Sequence, residues 1–392
     1  MEQRRTTLKT LLTAFAIFSM IFTASLGVAA LTNLGNIGRA VKVIALIKMK
    51  AIQPVSASQL IEGAAAGMVG SLNDPYSTYL APEPFESLME HLKGSYGGVG
   101  LLVSMEKENR LTVVSPFKGT PAQKAGILSG DWIVKIDGQE TTNMTLEKAA
   151  QLMQGKPGTK VTLTVWREGL EGLKDYVLTR QIINIPSVEG QLLKKNRDIA
   201  YINITQFSEN TGTELERVLK ELGEQGFKGI VLDLRNNPGG ELEAALQVAS
   251  KFVPEGPIVH IVEKQRTETL MARGGNLKVP LVVLVNKGSA SASEIVSGAI
   301  KDTKAGILVG EKTFGKGLVQ TVFPLSGGAA LKLTTAKYLT PNKTDINKKG
   351  IEPNVKVELP QELEREIALT SPNEDKDPQL RKAIEILRTK IK

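Results

Sequence analysis

Apolar and polar positions change rhythm along the chain, and each change predicts a different kind of structure. Twenty-one uncharged residues, Leu11 to Leu31, follow Arg4, Arg5 and Lys9. Helical spacing then runs from Ser58 to Leu72 through Leu60, Ile61, Ala64, Met68 and Leu72, with a shorter helix from Phe85 to Leu92. From Tyr96 the texture becomes short β runs with turns: Gly97 to Val103, Leu111 to Val114, Gly130 to Gly138 and Lys160 to Arg167, with one helix, Leu146 to Met153. After Pro186 strands and helices alternate. Ile199 to Gln206, Gly229 to Leu234, Ile258 to Val262, Leu281 to Val285, Gly306 to Gly310, Leu318 to Pro324 and Ala330 to Tyr338 read as strands. Thr211 to Leu222, Glu241 to Phe252 and Ile295 to Ile300 read as helices. Alternation of this kind predicts a layered α/β core. A last helix, Pro378 to Ile391, is capped by Asp377 and lines up Leu380, Ala383, Ile384, Leu387 and Ile391, so it should dock on an apolar surface.

Composition narrows the chemistry. At 392 residues the chain has room for two or three domains. Its net charge of +8 is scattered, and aromatics are 5%, so stacking platforms for bases are scarce and a nucleic-acid partner is not expected. The absence of cysteine excludes thiol catalysis, disulfides and Cys-ligated metals. The uncharged amino-terminal run is a secretion signal long enough to span a hydrocarbon core. The basic residues before it place the body outside the cytoplasm. It reads as a membrane anchor; Val28, Ala29 and Ala30 also offer a cleavage site that would release the protein.

The chemistry centres on Gly288-Ser289-Ala290-Ser291-Ala292-Ser293-Glu294, a serine-rich turn between a buried strand and a helix. A serine hydroxyl is a weak nucleophile and needs a neighbouring base. The two histidines are poor candidates: His91 sits among polar residues and His260 inside an apolar strand. Twenty-five residues beyond Ser291 stands Lys316, bracketed by Gly315 and Gly317, with Gln320 close behind. A Ser-Lys pair is a known variant of the serine triad. The lysine, with an ordinary pKa of about 10.4, must then be buried to work near neutrality. Ser289 and Ser293 remain alternative nucleophiles. Glu294 reads as a helix-start residue, and Asp233 with Arg235 as a structural ion pair.

Two resemblances follow from these motifs. Residues 96 to 180, with Gly97-Gly98-Val99-Gly100-Leu101 opening a strand, resemble a PDZ domain. The resemblance implies that Gly98, Val99, Gly100 and Leu101 present backbone N–H groups to a peptide's terminal carboxylate while the peptide adds to the sheet edge. Together with the serine turn, the Lys316 loop and the turn Arg235-Asn236-Asn237-Pro238-Gly239-Gly240, the chain from 58 to 390 resembles the carboxyl-terminal processing proteases. That family implies an α/β multidomain protein: a layered β/α crotonase/ClpP-like protease core, an inserted PDZ domain and an N-terminal helical arm. The division expected is 1–31 signal or anchor, 32–95 helical arm, 96–184 PDZ domain, 185–360 protease core and 361–392 C-terminal helical segment. It further implies Ser291 as nucleophile, Lys316 as general base, Gln320 as its orienting partner and an oxyanion hole from Ala292 and the Gly239–Gly240 pair, with Gly239 preferred. No metal or other cofactor is implied. Arg167, at the end of a PDZ strand, is a candidate relay by which an occupied PDZ releases the active site. Expected substrates are extracytoplasmic proteins with unstructured apolar C-terminal tails. The small-residue arm and the apolar last helix suggest a homodimer. Two other readings are a non-catalytic PDZ adaptor and an acyl-CoA enzyme on a related core. The family commonly has aspartate where this chain has Asn354, a change expected to affect a surface turn.

Overall fold

The computed structural model describes residues 35–106, 109–169, 171–275, 277–360, 362–363 and 372–391. The uncharged run from Leu11 to Leu31 lies outside them. Among the described residues no helix is long and apolar enough to cross a membrane. The chain divides into two compact units after Tyr79.

In the first unit residues 35–50 form α1 and Ala57–Gly70 forms α2. Ser56 accepts from the Gln59 N–H while the Gln59 side chain reaches back to the Ser56 N–H, a reciprocal cap that fixes where α2 starts. Ile61 and Met68 on α2 are exposed. A short strand, β1 (Thr78–Leu80), follows. The sequence pattern pointed to α2 and gave no sign of α1.

The second unit opens with α3 (Pro82–Lys93), ended by Gly94 in the left-handed conformation, and β2 (Ser95–Gly98). An antiparallel sheet comes next: β3 (Leu101–Glu106), β4 (Arg110–Pro116), β5 (Trp132–Ile136), β7 (Lys160–Trp166) and β8 (Lys174–Thr179), side by side in that order. β6 (Gln139–Glu140) pairs with β5, and two helices accompany the sheet, α4 (Pro121–Lys124) and α5 (Leu146–Met153). Period-two alternation puts Leu111, Val113, Val161, Leu163 and Val165 on one buried face, a register irregularity in β5 brings Ile133 and Ile136 to it, and Ala122, Ala149 and Met153 complete the core. β9 (Gln181–Asn184) returns to pair with β2.

The remaining chain builds two sheets. β10 (Val188–Leu192), β11 (Ile199–Ile204), β12 (Gly229–Asp233), β15 (Leu281–Val285), β16 (Ile307–Gly310) and β19 (Val355–Lys356) lie in that order, parallel except for β10. β12 and β15 are buried throughout, as a parallel sheet covered on both faces requires. Ile230, Leu232, Val283 and Val285 face the core shared with α6 (Thr211–Gly223), α7 (Leu242–Phe252) and α8 (Ala292–Asp302). Val231, Val282 and Leu284 face Leu380, Ala383 and Leu387 of α9 (Pro378–Lys390). The apolar face of α9 is therefore covered by its own sheet and does not speak for a homodimer. The second sheet, antiparallel, holds β17 (Leu318–Pro324), β18 (Ala330–Leu339), β13 (Pro257–Val262) and β14 (Thr267–Met271). β8, β9, β10 and β14 were not anticipated from the sequence; each is short, and several carry charged or polar residues at alternate positions.

Asp233, at the end of β12, accepts from Arg235 Nη2 at 2.5 Å and from the Tyr201 hydroxyl at 2.6 Å. Arg235 also meets Asp377 Oδ2 at 2.8 Å and Gln379 Oε1 at 3.0 Å, which fastens the start of α9 to the turn after β12. Burial works against the Arg235 charge, but the carboxylates of Asp233 and Asp377 outweigh it and hold the guanidinium protonated. Asp377 caps α9 as expected, accepting from the Gln379 and Leu380 N–H groups.

Candidate active site

The serine turn joins β15 to α8. Ser291 sits at φ 54°, ψ −113°, a conformation that a side chain with Cβ adopts at a cost of about 1–3 kcal/mol and keeps only where surroundings enforce it. The surroundings do so here. The Ala290 N–H donates to Asn237 O at 3.0 Å, and the Ser291 N–H to Glu294 Oε2 at 3.0 Å. The two flanking serines are fully buried with their hydroxyls engaged by backbone carbonyls: Ser289 Oγ donates to Leu234 O at 2.8 Å and Ser293 Oγ to Asn237 O at 2.9 Å. Ser291 is half-buried and stands between them.

Glu294 has a larger part than starting a helix. Its carboxylate is fully buried and accepts from the Ser291 N–H, from Thr313 Oγ1 at 2.6 Å, from the Gly315 N–H at 2.8 Å and from the Lys316 N–H at 2.9 Å. One side chain therefore clasps the serine turn to the lysine loop. Tyr338, on β18, adds a second clasp, its hydroxyl shared between the carbonyls of Ser291, at 3.1 Å, and Lys316. Burial, and next the nearby Glu294 carboxylate, push the Tyr338 hydroxyl well above its ordinary pKa, so it stays a donor. The Phe314 N–H closes the set, donating to Ser289 O at 3.0 Å. Gly315 is required at φ 90°: a Cβ there would fall 2.7 Å from the Gly350 nitrogen.

Lys316 is half-buried, and burial lowers its pKa. Repulsion from Lys332 on β18 lowers it further, while Glu294 opposes both. Gln320 lies on β17 opposite Thr334, beside a register shift, and its Nε2 is buried with no partner among the described residues. An unsatisfied buried amide is costly, about 1–3 kcal/mol, and is the sort of donor that a neutral amine's lone pair can accept from. Gly239 lies against the serine: a Cβ on it would be 2.7 Å from Ser291 Cβ and 2.9 Å from the Ala292 nitrogen. The Gly239 N–H already donates to Asn237 Oδ1 at 2.9 Å. The N–H groups of Ala292 and Gly240 are not engaged by any described residue.

The other anticipated residues fall elsewhere. His260 is buried on β13, bonded to Thr269 Oγ1 at 2.8 Å and Pro341 O at 3.1 Å, and His91 is exposed on α3. In the glycine turn before β3 the carbonyls of Val99 and Gly100 accept from Ala122 and Phe117, both at or near 3 Å, and their N–H groups meet no described acceptor. Arg167, just past β7, is bound to loops beside its own sheet, to Asp131 Oδ2 at 2.7 Å and Gly126 O at 2.8 Å. Asn354 Oδ1 accepts from the Leu308 N–H at 2.8 Å, so this exposed residue supports β16 as well as its turn. Sequence reasoning missed Tyr338, Thr313 and Lys332, for which no local signal exists, and gave Glu294 only its local role.

Comparison with known proteins identifies these parts. Residues 198–357 match peptidase family S41, residues 112–167 match the PDZ domain, and residues 26–84 match the activating protease CtpB N-terminal domain. The fold and site therefore define a peptidase carrying a PDZ domain. A carboxyl-terminal-processing protease of Synechocystis sp. is 43% identical over 298 residues, 75% of this chain and 70% of that protein. The carboxy-terminal processing protease CtpA of Bacillus subtilis is 42% identical over 317 residues, 80% of this chain and 67% of that protein. The solved photosystem II D1 C-terminal processing protease shares 34% identity and a TM-score of 0.50, over 85% of this chain and 91% of that one. The chain belongs to the carboxyl-terminal processing proteases of family S41, and the adaptor and acyl-CoA readings fall away.

Proposed function

We propose that this protease cuts peptide bonds with a Ser291–Lys316 dyad and selects substrates by their C-terminal tails. The observation that carries the reading is the Glu294 clasp, which ties both loops to one buried carboxylate. Neutral Lys316 removes the Ser291 proton as Oγ attacks the scissile carbonyl carbon. The resulting oxyanion is held at the start of α8 by the Ala292 N–H and by the Gly239–Gly240 pair, where unpaired amides and the helix dipole favour negative charge. For Gly239 to take part, its N–H must exchange Asn237 Oδ1 for the oxyanion; the Gly240 N–H needs no such exchange. Protonated Lys316 then gives its proton to the departing amine, and an acyl-serine remains. Water, deprotonated by the same lysine, releases it. Gln320 orients the amine through its otherwise unpartnered Nε2.

Substrate tails dock at Gly98, Val99, Gly100 and Leu101, and occupancy of the PDZ domain switches the dyad on. Arg167, engaged with Asp131 and Gly126, is a candidate relay for that switching. The layered core is of the crotonase/ClpP-like kind, with the domain limits given above. The charge pattern ahead of Leu11 supports export, with the uncharged run as anchor or cleaved signal, and the exposed Ile61 and Met68 of α2 support a homodimer. Incubating the protein with an unfolded substrate ending in an apolar tail tests the dyad: wild type cuts, Ser291→Ala and Lys316→Ala do not, and equal cleavage by either variant refutes it.

A further inference from the structure

The joint between the PDZ domain and the core is a two-stranded ribbon: among the described residues β2 and β9 pair only with each other. β2 runs straight into the glycine turn Gly98–Leu101, and β9 starts one residue after Arg180. Arg180 is 9% exposed, yet no carboxylate among the described residues pairs with it. Its Nη2 donates to Leu152 O at 2.7 Å and its Nε to Met153 O at 3.1 Å, the last carbonyls of α5. Nη1 donates to Thr159 Oγ1 at 3.0 Å and Lys160 O at 2.8 Å. The charge is thus balanced by carbonyl dipoles at the negative end of a helix. Two glycines make the close fit possible. A Cβ on Gly155 would fall 3.0 Å from Arg180 Nε, and one on Gly97 would fall 2.2 Å from Gly155 O.

The core side of the ribbon is equally continuous. The Ile185 N–H donates to Gly94 O, and the Glu209 N–H to Leu92 O at 3.1 Å. Two residues back, the Phe207 N–H donates to Gly239 O at 2.9 Å, in the turn that faces Ser291. A tail that adds to β3, the edge of its sheet, lies beside α5, which packs on β3.

We infer that Arg180 is the positioning residue that couples tail binding to the active site: it bolts the end of α5 to β9, so that displacement of α5 by a tail turns the ribbon and, through Phe207, the Gly239 turn. The inference rests on the proposed PDZ switching and names its route. Because the route ends at the Gly239 turn, the coupling acts on kcat.

The test uses the full chain, a small tail-less peptide substrate and an apolar tail peptide added in trans, with tail binding measured by fluorescence anisotropy in a Ser291→Ala background. The tail should raise kcat of the wild type on the small substrate. Arg180→Met should bind the tail within about threefold of wild type and lose about tenfold of the stimulation, a usual size for coupling between sites. Arg180→Lys should recover part of it. Thr159→Val, which removes one acceptor and leaves the carbonyl bonds, should lose about twofold and serves if Arg180→Met does not fold. Unchanged stimulation in folded Arg180→Met and Thr159→Val overturns the inference, as does loss of tail binding with stimulation at saturation intact. A wild type that cuts the small peptide but ignores the tail overturns the switching itself, and the inference with it.

Discussion

The crossing of the serine turn with the lysine loop and the PDZ joint are built on opposite plans. At the crossing, the serine turn and the lysine loop come from different parts of the fold and are locked by a buried carboxylate, a buried tyrosine and several backbone bonds. At the joint, the PDZ domain hangs from a two-stranded ribbon beside the buried Arg180. Strain at Ser291 survives because the crossing leaves the backbone no alternative, whereas a ribbon can turn without breaking a core. On the proposed function, the difference separates the chemistry, which must be held still, from the reading of substrate, which must move.

Four measurements would break or sharpen that contrast. Ser291→Ala and Lys316→Ala should each lower kcat by about 10⁴-fold or more while leaving tail binding intact. Glu294→Gln should lower kcat by about a hundredfold, since both loops lose a charged acceptor and misplacement by an ångström is that costly; a loss confined to KM would deny it the clasping role. Gly100→Val should weaken tail binding by about tenfold with kcat on a tail-less peptide unchanged, because a Cβ at φ 78° would lie 2.4 Å from Thr120 Cβ. Lys332→Gln should have the smallest effect and the most specific one. With Lys316 as the proposed base, the working form is the neutral amine, so kcat/KM should rise with pH through the lowered Lys316 pKa. Removing the Lys332 charge relieves part of that lowering, and the rise should move to higher pH, with Lys332→Arg restoring it; an unmoved profile would leave burial as the whole cause.

Arg235 marks a different use of buried charge, and the comparison extends to it. Arg235→Met should destabilise the protein by about 3 kcal/mol in denaturant unfolding, since Asp233 and Asp377 would be left buried without their cation.

Much of this was legible in the chain. Helix Leu146–Met153 and strands Leu281–Val285 and Leu318–Pro324 lie where the sequence pattern places them. The helix is read from its 3.6-residue period and the strands from short β-branched or apolar runs bounded by turn residues. β8, β9 and β14 escaped because their pairing supplies the order that their own residues do not demand.

The sequence by itself determined the types of group available: serines in a strand-to-helix turn, a glycine-bracketed lysine, no cysteine, and a glycine turn before a strand. Tertiary structure alone decided what distinguishes them. It engaged the hydroxyls of Ser289 and Ser293 with buried carbonyls, and it joined Glu294, Thr313 and Tyr338 across two sheets and a helix. The reason is physical: covalent neighbours set local conformation, but desolvation of an amine and satisfaction of a buried carboxylate depend on groups that only folding brings together.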